Sequence, residues 1–359
     1  MQRLILMNRI NNIYKIIFSK AILSCLVLIF AGQLLTAQTT VLRLFDEAAD
    51  LMENGNYKGA IEKYDSVTLF QGTNAKLYYN RALAHINLQN YGKALVDLNK
   101  TISLDTAMYD AYFNRAFVNT ILKNEAFAIG DYDVYLEQFP DDPEALLARG
   151  KLFLRQEEAA KAIVDLKKYT LKNTTNEEAY LALFFAYKMQ NKIPEALSAI
   201  DAAINIKSYD AKFHQLKADV LFDEKRYTEA CVSYDKVLGI QRNNIEVMVS
   251  KASAKFQLGL MNDAVVAMES AISYDASNPD HYYDKAFYLL QAKRYTEVHE
   301  VADLALKHNY NDIGAVHFLK AIAYNNLGFA ESACTSFTLA AKFGNKEAVA
   351  YAKKLCEEE

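Results

Sequence analysis

A small residue returns at a fixed interval through most of this chain. Ala60, Ala94, Ala128, Ala162, Ala196, Ala230 and Ala264 stand 34 residues apart (94 − 60 = 34), and the next step reaches Val298. Ala333 arrives one residue late, which places a single inserted residue near Gly314. A period of this size is the mark of stacked helical hairpins. Two antiparallel helices that pack closely need a residue without bulk where they cross, so the partner helix should carry a second small position. It does, twelve residues earlier, at Ala48, Ala82, Ala116, Gly150, Phe184, Ala218, Ala252 and Ala286, with Ala321 before Ala333. Phe184 breaks the rule, and the fifth hairpin is expected to open slightly there.

The period predicts an all-α solenoid with nine repeats over residues 41–346: 41–74, 75–108, 109–142, 143–176, 177–210, 211–244, 245–278, 279–312 and 313–346. Each repeat reads as helix A, a short turn, helix B and a second turn. A Gly count of 12 and a Pro count of 4 leave no flexible linker that would divide the array, and a 52% hydrophobic content can fill one extended core. Gly55 is free to take a left-handed helix end. Pro194 falls at the start of a B helix, where its missing N–H costs nothing. Residues 347–359 read as a capping helix, with Ala348, Val349, Ala352 and Leu355 covering the last apolar face.

The N-terminal segment, 1–37, differs in kind. It holds Arg3, Arg9, Lys15 and Lys20, no acidic residue, and an apolar run from Ala21 to Leu35 ahead of Ala37-Gln38. That order is expected of a secretory signal peptide cut near Ala37. The other reading is a retained membrane anchor, although the run is shorter than the ~20 residues a span needs. A lipidated Cys25 is excluded, because Leu26 to Phe30 continue the apolar run past it. Without the segment the chain keeps 40 − 4 = 36 basic and 44 acidic residues, a formal charge of −8. Such a surface does not favour nucleic acid.

The residues at other fixed positions resemble the tetratricopeptide repeat (TPR) family. Tyr78, Tyr112, Tyr180 and Tyr282 occupy one conserved-type aromatic position of that unit, Tyr57, Tyr91, Tyr227 and Tyr295 a second, and Tyr64, Tyr132, Tyr234 and Phe337 a third. The resemblance implies a right-handed superhelix of helix pairs that binds protein or peptide partners on a concave wall made mainly by helix A. At the inward positions of helix A this sequence has Phe45, Tyr79, Phe113, Phe117, Phe185, Phe222, Phe256, Tyr283, Phe287 and Phe318. Two readings of these rings stand: a groove for an apolar peptide or helix, or core packed between neighbouring A helices. The family's clamp for C-terminal carboxylates is not expected. Its first two positions are Phe45 and Ala49 here, and Asp110 stands where a lysine is wanted. Lys151 and Arg155 of the fourth repeat, with Lys188 of the fifth, are the one basic group on the inward face, answered by Asp219 and Asp223 a repeat later.

Nothing in the motifs points to catalysis, a metal or a cofactor. The six histidines form no metal pair on one helix face, and neither a phosphate loop nor a nucleophile elbow occurs. Cys334 and Cys356 fall on the last B helix and the capping helix. An exported protein could bridge them, or both could be packed thiols. The expected function is a non-enzymatic scaffold for protein or peptide partners in the periplasm or cell envelope. The alternatives are a membrane-tethered assembly factor and a glycan-binding or enzyme-associated accessory protein.

Overall fold

The computed structural model describes residues 38–70 and 72–356, with Met1, Met7, Gln33 and Thr36 as isolated positions. The expected signal segment and the cut at Ala37 therefore lie outside the described residues. Among the described residues every regular element is an α-helix, and the helices come in A and B pairs. They are α1 (38–53) with α2 (Tyr57–Thr68), α3 (Ala75–Asn87) with α4 (Tyr91–Leu104), and α5 (Tyr109–Ile121) with α6 (Glu125–Gln138). Next are α7 (Pro143–Arg155) with α8 (Ala159–Lys172), α9 (Glu177–Met189) with α10 (Ile193–Ile206), and α11 (Ala211–Asp223) with α12 (Tyr227–Ile240). Last are α13 (Ile245–Gln257) with α14 (Met261–Tyr274), α15 (Pro279–Gln291) with α16 (Tyr295–Lys307), α17 (Ile313–Asn326) with α18 (Ala330–Lys342), and the final helix α19 (Lys346–Cys356). The chain forms two compact units, Met1–Tyr169 and Thr170–Glu359.

The small residues sit where the period puts them. Ala60, Ala94, Ala128, Ala162, Ala196, Ala230, Ala264 and Val298 are fully buried. So are their partners Ala48, Ala82, Ala116, Ala218, Ala252, Ala286 and Ala321. At Gly150 a Cβ would come within 2.9 Å of Leu166 Cγ, so even alanine is too large at that crossing. Phe184 is fully buried, yet α9 and α10 lie against each other as closely as the helices of other pairs. The expected opening is absent, because α10 brings Ala196, Ala199 and Ala203 to the interface and leaves room for the ring. The inserted residue is absorbed inside α17. Its cap Asp312 keeps phase with Asn278 (312 − 278 = 34), while Ala321 follows Ala286 by 35.

Each A-to-B turn ends in a left-handed residue, 34 residues apart until a last step of 35 (328 − 293 = 35): Gly55, Gln89, Lys123, Glu157, Asn191, Lys225, Gly259, Lys293 and Gly328. Most are not glycine, at a cost of about 1 kcal/mol each. Two backbone hydrogen bonds close every turn, as in Lys225 N–H to Phe222 C=O at 2.9 Å and Arg226 N–H to Leu221 C=O at 2.8 Å. They satisfy helix-end carbonyls that would otherwise be orphaned.

The array ends on α19. Ala348 is buried, Ala352 packs beside it, and the Tyr351 ring stacks on Phe337 with centroids 5.1 Å apart. Val349 and Leu355, expected to share this contact, are exposed. The Cys334 and Cys356 sulfurs stand at bonding distance, with their Cα atoms 5.5 Å apart. Cys231 is a buried free thiol whose pKa is raised by burial.

If these crossings carry the fold, Ala196→Leu should cost about 1–3 kcal/mol by overpacking. Lys236→Ala on an exposed position of α12 should fall within about 0.5 kcal/mol. Urea unfolding of the two variants measures the contrast, and equal shifts would contradict the crossing register.

Candidate functional site

The inward positions of helix A divide into two kinds. Phe45 packs edge-on against Tyr64 at 5.7 Å, and Phe113 lies between Tyr132 and Tyr135 at 5.7 and 5.1 Å. Tyr79 accepts a hydrogen bond from Asn114 Nδ2 at 3.1 Å, and burial raises its pKa. Phe222 meets Tyr227, Phe256 stacks on Tyr288, Phe287 leans on Phe256, and Phe318 contacts Phe337 and Tyr351. Tyr283 stacks face to face with Tyr310, centroids 4.5 Å apart at 8°. These eight rings are partly buried and pack against side chains of their own repeat or the next.

Phe117 and Phe185 are different, at 41% and 39% exposed. Each has a second exposed apolar residue one turn on, Ile121 behind Phe117 and Met189 behind Phe185. In a helix, residues four apart share a face. Each unit thus presents one two-residue apolar spot on an A helix. Exposed apolar side chains on the B helices, such as Val96, Val164, Val232 and Val266, occur singly, which is ordinary for a protein surface.

The basic group does not assemble as three free cations. Arg155 Nε already donates to Glu125 Oε1 at 2.5 Å. Lys151 and Arg155 belong to the first unit and Lys188 to the second. A carboxylate ligand would have to displace Glu125 to reach Arg155.

The sequence reading missed an ion-pair ladder. Arg81, Arg115 and Arg149 each grip an aspartate sixteen residues on, with Nε and Nη2 on the two carboxylate oxygens: Asp97 at 2.8 and 2.7 Å, Asp131 at 2.9 and 2.6 Å, Asp165 at 2.8 and 2.8 Å. The third nitrogen, Nη1, reaches back to the preceding B helix, at Asp65, Asn99 and Asp133. The three gripped aspartates are only 3%, 6% and 2% exposed. The hydrogen bonds that Arg81 donates to Asp97 push its pKa further up. In the second unit lysines replace the arginines, and only the backward contact remains: Lys217 to Asp201, Lys251 to Asp235, Lys285 to Glu269 and Lys320 to Asp303. The constant spacing of sixteen between Arg and Asp was the available signal. Two shallow clefts of about 360 and 370 Å³ open over Arg149–Asp165 and Arg115–Asp131. Their charged groups are already satisfied by each other, which suits a structural seam.

The helix pairs, their period and the surface on helix A define a helical-repeat array that offers a face to a partner. Family models described as tetratricopeptide repeat match residues 75–107, 128–174 and 211–244. A serine/threonine-protein phosphatase T of Aspergillus oryzae is 38% identical over 109 residues, which are 30% of this chain and 21% of that protein. The human serine/threonine-protein phosphatase 5 is 32% identical over 99 residues, 28% of this chain and 20% of that one. This chain therefore spans about a fifth of the length of those relatives. In fold it is similar to the C-terminal part of a TPR repeat-containing protein from Cytophaga hutchinsonii, with TM-score 0.55 and 18% identity over 66% of this chain and 97% of that one. This chain is a tetratricopeptide repeat protein.

Proposed function

We propose that this protein is a non-enzymatic scaffold of the cell envelope that binds protein or peptide partners on the inward face of its A helices. The observation that carries the reading is the pair of exposed apolar spots, Phe117 with Ile121 and Phe185 with Met189. Apolar side chains held in water, one turn apart on an A helix of each unit, are a mark of interaction surfaces. TPR arrays serve in general as interaction scaffolds, which supports the non-catalytic reading. Export rests on the N-terminal order of basic residues, apolar run and small residue before Gln38.

Affinity purification of the tagged chain from its native envelope, with the bound proteins identified and re-tested in pure form, examines the reading. Phe117→Ser and Phe185→Ser should each weaken capture at least tenfold with the helical signal unchanged, since each ring is already substantially in water. Full capture by both variants would refute the face. N-terminal sequencing should find Gln38 first. A chain that still begins at Met1 or Met7 in the membrane fraction would favour a tethered factor instead.

A further inference from the structure

The second unit separates its acidic residues into two populations. Most of those on the B helices are paired: Asp201, Asp235, Glu269 and Asp303 each hold a lysine from the next A helix, and Glu229 and Glu297 each hold an arginine. On the A helix α9, Glu177 is also paired, with Lys207, but those on α11, α13 and α15 are not. Among the described residues no Lys, Arg or His lies within 4.0 Å of Asp219, Asp223, Glu246, Asp280 or Asp284.

Helix-end electrostatics accounts for only part of this. Glu246 and Asp280 lie in the first turn of α13 and α15, where a carboxylate is favoured. Asp223 is the last residue of α11, where a carboxylate is disfavoured. Asp219 with Asp223, and Asp280 with Asp284, are like charges four apart on one helix, which destabilises each helix. Asp284 is half-buried beside Asp280 with no hydrogen-bond donor among the described residues. Its carboxyl is pushed up to about 6, by burial first and Asp280 second. Burial likewise raises Asp219, which accepts a hydrogen bond from the Tyr234 hydroxyl at 3.0 Å.

These carboxylates stand against aromatic rings. Tyr283 and Tyr310 stack in parallel next to Asp284, and burial together with the field of Asp280, Asp284 and Asp312 pushes Tyr310 up to about 12. Further along α15, Tyr288 meets Ser253 of α13 at 3.3 Å and stacks on Phe256. Ring faces and unpaired carboxylates both attract cations, and both do so more strongly when partly desolvated.

We propose that the A-helix face of α11, α13 and α15 is a groove for a basic peptide, in extended form, whose Lys or Arg side chains pair with Asp219 and Asp284. This deepens the scaffold reading above and rests on it. Neighbouring helices pack about 8–10 Å apart, and an extended chain advances about 3.3 Å per residue. Cations on the ligand therefore fall about three residues apart to meet successive A helices, with small or apolar residues between them against the rings. The like-charge pairs that cost the free protein stability are relieved when the ligand arrives.

Fluorescence anisotropy with three labelled twelve-residue probes tests this, using the purified chain. The probes are four repeats of Lys-Leu-Ser, of Gln-Leu-Ser and of Glu-Leu-Ser. The Lys probe should bind at least tenfold more tightly than either other, and weaken as salt rises. The double variant Asp219→Asn, Asp284→Asn should lose at least tenfold for the Lys probe. Asp201→Asn, Asp235→Asn, which alters paired acids on the B helices, should bind as the parent does. The first variant should melt at or above the parent temperature, because it removes repulsion and leaves shape unchanged. Equal binding of the Glu probe, an unaltered Lys probe affinity in the first variant, or a lowered melting temperature for it would each overturn the groove. If no probe binds while Phe185→Ser still abolishes capture from the envelope, the basic-peptide assignment fails and the scaffold reading stands.

Discussion

Replacing Asp131 by alanine is expected to destabilise the Met1–Tyr169 unit by about 3–5 kcal/mol. The carboxylate is 6% exposed and takes two hydrogen bonds from Arg115, at 2.9 and 2.6 Å. Its removal leaves a guanidinium in a poorly hydrated site with no carboxylate partner, holding the Asn99 contact at 2.8 Å and the Tyr112 ring at 5.4 Å. The loss is therefore mostly the penalty of an uncompensated charge and only partly the worth of the pair. Two comparisons separate these. The double variant Arg115→Met, Asp131→Leu should recover most of the loss, because no charge is then left to desolvate. Asp235→Ala should cost at most about 1 kcal/mol, since Asp235 and its partner Lys251 form a single-point pair with the aspartate side chain 57% exposed. Urea denaturation followed by far-ultraviolet dichroism reads all three, and equal costs for Asp131→Ala and Asp235→Ala would remove the distinction drawn between the two ladders.

Loss of the Cys334–Cys356 link carries the second large effect. The two residues are 22 apart in sequence with Cα atoms 5.5 Å apart. Closing a loop of that length constrains the unfolded chain by about 3 kcal/mol. The effect should be local, because α19 touches the array through few side chains: Ala348 and Ala352 in the last apolar cluster, and Tyr351 on Phe337 and Phe318. Cys356→Ser is thus expected to release α19 first, seen as faster amide exchange over Lys346–Cys356 and a lower unfolding midpoint for the second unit. Mass spectrometry of unreduced peptides from envelope-derived protein supplies the prior check. Free, alkylatable thiols at both positions there would rule the link out in the cell.

How much of this was legible in the sequence varies with the physics behind each feature. The crossings were legible because sterics allows few residues at a helix crossing, so Ala82, Ala94 and their equivalents recur with the period. The left-handed turns were legible only at Gly55, Gly259 and Gly328, where residue type signals the backbone. At Gln89, Lys123, Glu157, Asn191, Lys225 and Lys293 the same turn forms without its preferred residue. Packing of the two helices it joins imposes the geometry there, and local preference is overridden. The Arg–Asp ladder was readable from its spacing of sixteen, yet charged residues on a helical pattern resemble an ordinary solvated face until the B helix of the same repeat is known to cover them.

The candidate site shows the division most clearly. The family resemblance, laid on the period, assigned Phe113, Phe117, Phe185 and Phe287 to the inward side of an A helix. Which residues share a helix face follows from 3.6 residues per turn and needs no neighbour. Whether a ring on that side meets water depends on the volume of what stands across from it, which no local pattern carries. Tyr132 and Tyr135 cover Phe113, and Phe256 with Tyr288 covers Phe287. Phe117 and Phe185 remain open to solvent. The acids divide in the same way: Asp235 and Asp284 are both aspartates within helices, but a lysine from the next helix reaches Asp235, while Asp284 stands half-buried against Asp280. The sequence by itself determined the helices, their pairing and the face each residue takes. Only the tertiary structure decided which side chains on that face are spent on packing and which are left to bind, because burial and charge pairing are set mostly by side chains on neighbouring helices.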